Sequence, residues 1–532
     1  MTVPLAQSAD AQSAEVSFGL TNWLVLIAYL AGMVWIGVRC SRTESGTEDF
    51  FLAGRRIPWW AAGLSIFGTQ LSAITFMAIP ATAYGDDWVR MTLNLMLLAA
   101  LPVVALFYLP FYRRTGVATA YEYLERRFNL AVRWLASGLF ILLQIGRMGV
   151  VLYLPAIALA AVTGMNVYVC LALMGVLATI YTVLGGIEAV IWTDVVQVVV
   201  LIGGVLISLA VITSRVGGVG ELIEAAGAAD KFQIVETIPA DPPTPTPAEE
   251  ADGRIDVPPW LSGNAFWIMV VGGFVMALTP YTTDQTVVQR YLTTPNEAAA
   301  VRSVWLNFWM TAPTALLFFG FGTALFVFYE TFPGLPLPET ADEIVPWFVV
   351  SQLPAGVAGL VIAGVFAAAM SSLDSSMNSV ATAIVNDFHV RLRPKTTDKA
   401  RLRLARLLTV VLGALGTGVA AVLASVEIKY LLDFFMTMLG LFGGGLGGLF
   451  ALAVFTTRTN ATGALVGLIV GTVITAGVQF ATEVNGFLYA AIGFMICLVI
   501  GYGVSLLTKG DARDLAGLTI HTTDLRGRPA AG

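Results

Sequence analysis

Polar residues along this chain are confined to short stretches between long apolar runs, and most of those runs have the length of a membrane span. Thirteen apolar segments stand out, at roughly 17–39, 59–84, 91–112, 131–163, 166–184, 188–213, 264–288, 300–330, 354–387, 404–424, 428–456, 460–481 and 485–507. A helix needs about 20 mainly apolar residues to cross a hydrocarbon core. The pattern therefore predicts an all-α polytopic membrane protein.

Two segments depart from clean apolar helices. One contains Gly63-Leu-Ser-Ile-Phe-Gly-Thr-Gln-Leu-Ser-Ala-Ile-Thr75, the other Gly272-Gly-Phe-Val-Met-Ala-Leu-Thr-Pro-Tyr-Thr-Thr-Asp-Gln285. Glycine, proline and polar side chains at mid-depth predict discontinuous helices, which line substrate sites in transporters. The bland alternative is a pair of glycine-rich packing helices. The two lie five segments apart, and five is odd, so the blocks they open have opposite orientation, as in an inverted repeat.

Charge placement sets the orientation. Of 29 Lys and Arg residues, 23 lie on one face, in 39–56, 113–133, 290–302, 391–406, at Arg458 and after 507. Only Arg90, Arg215, Lys231, Arg254 and Lys429 lie on the other, with Arg147 inside the membrane. The positive-inside rule puts the N-terminus outside and the C-terminus in the cytoplasm. The long outer loop, about 214–263, carries the Pro-rich stretch 239–247, which reads as extended linker. The apolar stretch 345–353 is too short to span and is expected at the outer interface. Residues 1–15 lack the basic start of a signal peptide.

Composition agrees: 57% of residues are hydrophobic and 12% charged, with mean hydropathy +0.79, against about 25% charged in soluble domains. Cys40, Cys170 and Cys497 are too scattered for a disulfide or metal framework, and His389 and His521 lie outside the apolar runs. No Walker-type phosphate loop occurs, which disfavours ATP-driven pumping. No nucleic acid is expected as a partner.

Three features place chemistry in the membrane. The apolar run 356–370 ends in Ser371-Ser-Leu-Asp-Ser-Ser-Met-Asn-Ser379. An aspartate there costs roughly 2.5–3.5 kcal/mol on insertion scales, which makes it a functional candidate. Ala368, Ser371, Ser372 and Ser375 fall on one helical stripe, and oxygens so arranged beside Asp374 suit a small hard cation such as sodium. Arg147, mid-segment, keeps its charge and offers a two-pronged grip on a carboxylate. It is either a counter-ion for an anionic substrate or a structural residue, paired with Asp194 or Asp374 or bonded to carbonyls of a broken helix. Asp194 either binds a cation, carries a proton, or pairs with a basic residue near the cytoplasmic surface.

Together, 185–197, 368–379 and Thr283-Asp-Gln-Thr-Val-Val-Gln-Arg290 resemble the sodium/solute symporter family, that of the sodium–glucose and sodium–iodide cotransporters. The resemblance covers about residues 17–507. It implies a LeuT-type fold of two inverted five-helix repeats, at about 59–213 and 264–456. Residues 1–16 form an outer tail and 17–39 an extra N-terminal helix; two further helices span 460–507, and 508–532 is a cytoplasmic tail. It implies a main sodium site from the backbone carbonyls of Gly68, Leu71 and Ala368 and the hydroxyls of Ser371 and Ser372. A second cation position is implied at Asp194, Ser371, Asp374 and Ser375. Asp374 stands where the family usually carries Ser or Thr. It either strengthens cation binding, takes a proton beside Asp194, or partners Arg147 when no substrate is bound.

Tyr121-Glu-Tyr-Leu-Glu-Arg-Arg-Phe128 and Gln144-Ile-Gly-Arg-Met148 are most similar to the family's bacterial sialic acid symporters. That resemblance implies Arg147 on the substrate carboxylate, with Ser72 and Thr75 beside it. Gln70 replaces a hydroxyl of the subgroup, and Asn94 a longer glutamine. Ala277 and Pro280 stand where sugar-transporting relatives carry Asn and a gating Tyr, against a simple hexose.

The expectation is a sodium-coupled symporter in a bacterial-type inner membrane, importing a small organic anion, with sialic acid or a related sugar acid foremost. Na+ is the coupling ion and the lipid bilayer the surroundings. The alternatives are a neutral sugar, monocarboxylate or amino acid as cargo, or proton coupling through Asp194 and Asp374. A sensor is disfavoured because only about 25 residues follow the last segment, too few for a domain. An intramembrane enzyme lacks a membrane histidine, though a paired-aspartate site at Asp194 and Asp374 stays open.

Overall fold

The computed structural model describes residues 18–43, 46–71, 73–235, 254–255, 257–338, 340–425, 431–509 and 514–522. Ser72, the tail 1–16 and the Pro-rich stretch 239–247 lie outside the described residues. The main helices, in chain order, are α1 (Leu20–Cys40), α2 (Trp59–Gln70), α3 (Ala73–Gly85), α4 (Met91–Val103), α5 (Leu130–Thr163), α6 (Val167–Val216) and α7 (Phe266–Thr283). They continue with α8 (Gln285–Leu292), α9 (Glu297–Thr331), α10 (Val357–Ala383), α11 (Asp398–Ser425), α12 (Leu431–Phe455), α13 (Ala461–Ala481) and α14 (Tyr489–Leu507).

Capping residues set where the chain re-enters. Asn129, Asn296 and Asn460 each accept a backbone N–H in the first turn of α5, α9 and α13, satisfying a donor that has no intrahelical partner. In place of thirteen separate runs, eleven helices among the described residues are long and apolar enough to cross a bilayer, or twelve with the bent pair α2–α3, which turns by 54°. The difference lies in α6. Its 50 residues would extend about 75 Å if straight, over twice the hydrocarbon thickness. Gly186, with φ 50° and ψ −148°, breaks the helical path inside it, between the segments expected at 166–184 and 188–213.

Burial then sorts the helices. Of the 27 residues of α10, 25 are buried, against five of 21 in α1 and six of 28 in α11, so α10 is the central helix and α1 and α11 face outward. It packs on α1, α5, α6 and α11. The Asn22 side-chain oxygen of α1 accepts from Gly356 N at 2.7 Å and Gly359 N at 3.0 Å, tying off the start of α10. A Cβ at Gly359 would lie 2.7 Å from the Asn22 backbone, so only glycine permits that approach.

Residues 344–352 form a short helix, matching the apolar stretch too short to span. The described part of the C-terminal tail docks on the bundle: Tyr123 OH donates to Leu518 O at 2.7 Å, and Ile520 N to Val454 O at 3.0 Å.

Gly186→Ala forces a side chain into a conformation open almost only to glycine, at about 1–3 kcal/mol. The purified variant is expected to melt several degrees below the parent in a thermal-unfolding scan, and an unchanged midpoint would show the break to be unstrained.

Candidate functional site

Two helix breaks frame the centre. Helix α2 ends at Gln70, and Leu71, with φ −81° and ψ 73°, turns its carbonyl out of the helical direction. Gly68 faces α6 closely, since a Cβ there would lie 2.9 Å from Val198 and 3.5 Å from the Asp194 Cβ. The second break falls not at the glycines or Pro280 of the predicted stretch but at Asp284 (φ −79°, ψ 117°). Its carboxylate accepts from Thr286 N at 2.8 Å and Thr286 Oγ1 at 2.7 Å, which caps α8. All eight residues of α8 are buried.

The polar end of α10 meets Asp194. Ser371 Oγ donates to Asp194 Oδ1 at 2.6 Å, and Ser65 Oγ to Oδ2 at 2.5 Å. In the same cluster lies Arg290, fully buried, whose Nη2 donates to Asp194 Oδ2 at 2.9 Å and to Ser375 Oγ at 2.7 Å. Its Nε donates to Ser65 Oγ at 2.6 Å, and its Nη1 donates to the Thr286 carbonyl. Tyr181 OH donates to Asp374 Oδ2 at 2.5 Å, and Ser375 Oγ to Asp374 Oδ1 at 3.2 Å. The expected second-cation residues Asp194, Ser371, Asp374 and Ser375 are thus brought together. Of the main set, Gly68 and Ser371 both adjoin Asp194, while Ser372 Oγ donates to Ala368 O at 3.3 Å one turn away.

Arg290 corrects its placement in a cytoplasmic loop. Helix α8 carries it back into the protein, where burial requires a counter-charge. Its position seven residues after the Pro280-Tyr-Thr-Thr283 stretch was the available signal.

Arg147 corrects a second expectation. Its partner is neither Asp194 nor Asp374 but Asp284: Nη1 lies 3.4 Å from Asp284 Oδ2. Its Nη2 donates to the Thr69 carbonyl at 3.4 Å, so the expected bond to a broken-helix carbonyl is present. Arg147 Nε has no partner among the described residues. Gln144 Nε2 donates to both Asp284 oxygens, at 3.1 and 3.0 Å, and Ser376 Oγ of α10 donates to Gln144 Oε1 at 2.8 Å. Asp374, on the hydroxyls of Tyr181 and Ser375, is not the resting partner of Arg147.

At the first break lies a cavity of about 310 Å³, lined among others by Gln70, Thr75, Asn94, Arg90, Ala277, Pro280 and Tyr281. Three of the predicted substrate residues therefore line the same cavity. Arg147 is not in the lining, and Gln70 Nε2 is buried with no partner among the described residues.

Near the basic loops, hydrogen bonds converge on α8 and on the segment that follows α10. Asp387 accepts from Arg133 Nη2 at 2.6 Å, Thr119 Oγ1 at 2.6 Å and Ser137 Oγ at 2.8 Å. Arg133, counted above with the surface basic residues, is 2% exposed. Tyr121 OH donates to Thr283 O at 2.8 Å, and Tyr112 OH to the Thr282 carbonyl. Gln289 Nε2 donates to Phe51 O at 2.6 Å and Asn378 Oδ1 at 2.8 Å.

Residues 50–471 match the model of the sodium:solute symporter family. The chain is 39% identical over 498 residues to the sodium/sialic acid symporter NanT of Aliivibrio fischeri, covering 93% of this chain and 95% of that one. It is 37% identical to the sodium/sialic acid symporter SiaT of Proteus mirabilis, covering 91% and 94%. A solved structure of a Na+-coupled sialic acid symporter in a substrate-bound outward-open state superposes with TM-score 0.84 at 35% identity, over 94% of this chain and 100% of that one. A nucleobase-cation-symport-1 family transporter in a closed conformation shares the fold, with TM-score 0.56 at 15% identity over 86% and 94%.

Arg290→Met leaves Asp194 charged and short of its counter-ion, a change worth about 3–5 kcal/mol. The single variant is expected to lose melting temperature sharply, and Arg290→Met with Asp194→Asn to recover part of it. A double variant no better than the single would show that the pair does not hold the cluster.

Proposed function

As the chain belongs to the sodium:solute symporter family, we propose that it imports sialic acid into the cell, coupled to sodium, by alternating access. The observation that carries this reading is the position of Arg147. Its guanidinium, with contacts of 3.4 Å among the described residues, joins the two helix breaks and binds the carbonyl of Thr69, next in sequence to Gln70, which lines the cavity with Thr75 and Asn94. Sialic acid carries a carboxylate that a guanidinium can bind with two parallel hydrogen bonds, and hydroxyl and amide groups that suit Thr75, Gln70 and Asn94, with Ser72 as a further contact. The named activities of the relatives from Aliivibrio fischeri and Proteus mirabilis support the same cargo.

Sodium binds first, at the carbonyls of Gly68, Leu71 and Ala368 and the hydroxyls of Ser371 and Ser372. A second cation position lies at Asp194, Ser371, Asp374 and Ser375. Unwound backbone and hydroxyl oxygens are the ligands a small hard cation prefers. Each sodium charge moving inward down the membrane potential adds about 2.3 kcal/mol per 100 mV to the driving force.

The chain sits in a bacterial inner membrane with thirteen crossings, α6 counting as two at Gly186 and α2–α3 as one. Its repeats, 59–213 and 264–456, are inverted in the LeuT manner. The N-terminus is outside and the basic loops are in the cytoplasm. In that orientation the cavity faces outward, and the bonds around α8 and Asp387 close the cytoplasmic end.

The test is uptake of radiolabelled N-acetylneuraminate into proteoliposomes under an inward sodium gradient, with pH equal on both sides. Accumulation is expected with sodium and none with potassium; uptake driven instead by an imposed pH gradient would overturn sodium coupling. Arg147→Ala is expected to abolish uptake while sodium still raises the melting temperature. Ser371→Ala with Ser372→Ala is expected to raise the half-saturating sodium concentration tenfold or more.

A further inference from the structure

We propose that Asp284 is the resident counter-ion of Arg147, and that the carboxylate of an arriving organic acid takes its place. This rests on Arg147 as the carboxylate-binding residue of the reading above. Asp284 is then a positioning residue: it sets how tightly the substrate acid is held, and it carries the arrival of substrate to the second broken helix.

The geometry is that of a pair made to exchange. A firm guanidinium–carboxylate contact is about 2.7–2.9 Å, as Arg290–Asp194 shows at 2.9 Å. Arg147 instead lies 3.4 Å from Asp284 and 3.4 Å from the Thr69 carbonyl, and its Nε has no partner among the described residues. Asp284 does not depend on Arg147 for hydrogen bonds. It keeps Thr286 N, Thr286 Oγ1 and Gln144 Nε2 within 2.7–3.1 Å. Letting go of Arg147 strips Asp284 of a charge partner but of no short hydrogen bond.

Arg147 has the opposite need. A largely desolvated guanidinium, 11% exposed here, is costly without an anion, so it leaves Asp284 only for another carboxylate. It also lies outside the cavity lining, so meeting a carboxylate there requires the side chain to shift. A neutral ligand gives it no reason to move.

The exchange reaches beyond the pair. Asp284 is the break residue and N-cap of α8, the piece that closes the basic end. Gln144, bonded to both Asp284 oxygens, accepts from Ser376 of α10. Ser376 in turn donates to the Ser372 carbonyl at 2.8 Å, on the helix that carries the proposed sodium ligands. Arrival of a carboxylate therefore changes the charge at the hinge of α8 and at one end of a chain of bonds leading to α10.

Asp284→Asn tests this with little disturbance, because Asn caps helices as well as Asp while the charge is gone. Calorimetric binding of N-acetylneuraminate and of its uncharged methyl ester would be measured in the sodium-loaded, full-length protein. In the variant the acid is expected to bind at least fivefold tighter and the ester as in the parent, since no ion pair has to open. In uptake assays KM and kcat are both expected to fall, a split that simple loss of structure does not give. Asp284→Ser, which also retains a cap, should behave alike and serves if the Asn variant folds poorly.

In an Arg147→Ala background the effect of Asp284→Asn on acid binding should vanish. Parental affinity for the acid in a folded Asp284→Asn protein would overturn the exchange while leaving Arg147 as the carboxylate site. Parental acid binding by Arg147→Ala alone would overturn that earlier reading, and the exchange with it.

Discussion

A charge taken into the middle of a membrane protein must find its opposite there, and that constraint organises the centre of this molecule. Two buried guanidiniums and one partly buried one meet three aspartates, and each pair joins parts of the chain that are far apart in sequence. Arg133 of α5 holds Asp387 beyond α10 at 2.6 Å. Arg290 of α8 holds Asp194 of α6 at 2.9 Å. Arg147 of α5 reaches Asp284, between α7 and α8, at 3.4 Å. The pairs loosen from the closed end toward the cavity. That gradient matches the proposed division of labour, with firm pairs holding the cytoplasmic closure and the loose one attending the substrate.

Asp374 stands apart from this set. Its oxygens accept from the hydroxyls of Tyr181 and Ser375, next to an Asp194 already matched by Arg290. A carboxylate so placed adds negative charge where the proposed cycle puts a cation. Packing around it is close: Gly359 lets α10 meet the α1 backbone at a distance no side chain would allow, and Gly68 brings α2 against Val198 and Asp194 of α6. The breaks at Leu71 and Asp284 are where the backbone leaves helical geometry inside this packing.

Much of this was legible in the sequence, for physical reasons. Apolar run length is dictated by the bilayer, so the spans at 131–163, 300–330 or 460–481 needed little more than counting. Polar residues in apolar runs are costly enough to be informative, and that signal singled out Arg147, Asp194 and the Ser371–Ser379 stretch. Partners were the hidden part. Arg290 and Arg133 sit at the edges of apolar runs and so counted as surface residues, because sequence does not tell which way a short helix such as α8 turns. Asp284, in a Thr-Thr-Asp-Gln stretch, looked like part of a general glycine- and proline-rich weakness, yet it is both the break and the partner of Arg147. The break at Gly186 falls between the two spans expected at 166–184 and 188–213, but the point where two helices part company is set by one residue's dihedral angles rather than by composition.

The central claim is that sodium on α10 and a carboxylate on Arg147 favour the same outward-facing state, so that each ligand strengthens binding of the other. The most direct measurement is the affinity for N-acetylneuraminate by titration calorimetry at stepped sodium concentrations, with pH and ionic strength held constant by choline. The account predicts an affinity that rises steadily with sodium and stays at its low, sodium-free value when potassium is used. An affinity independent of sodium, or one that follows pH at fixed sodium, would contradict it.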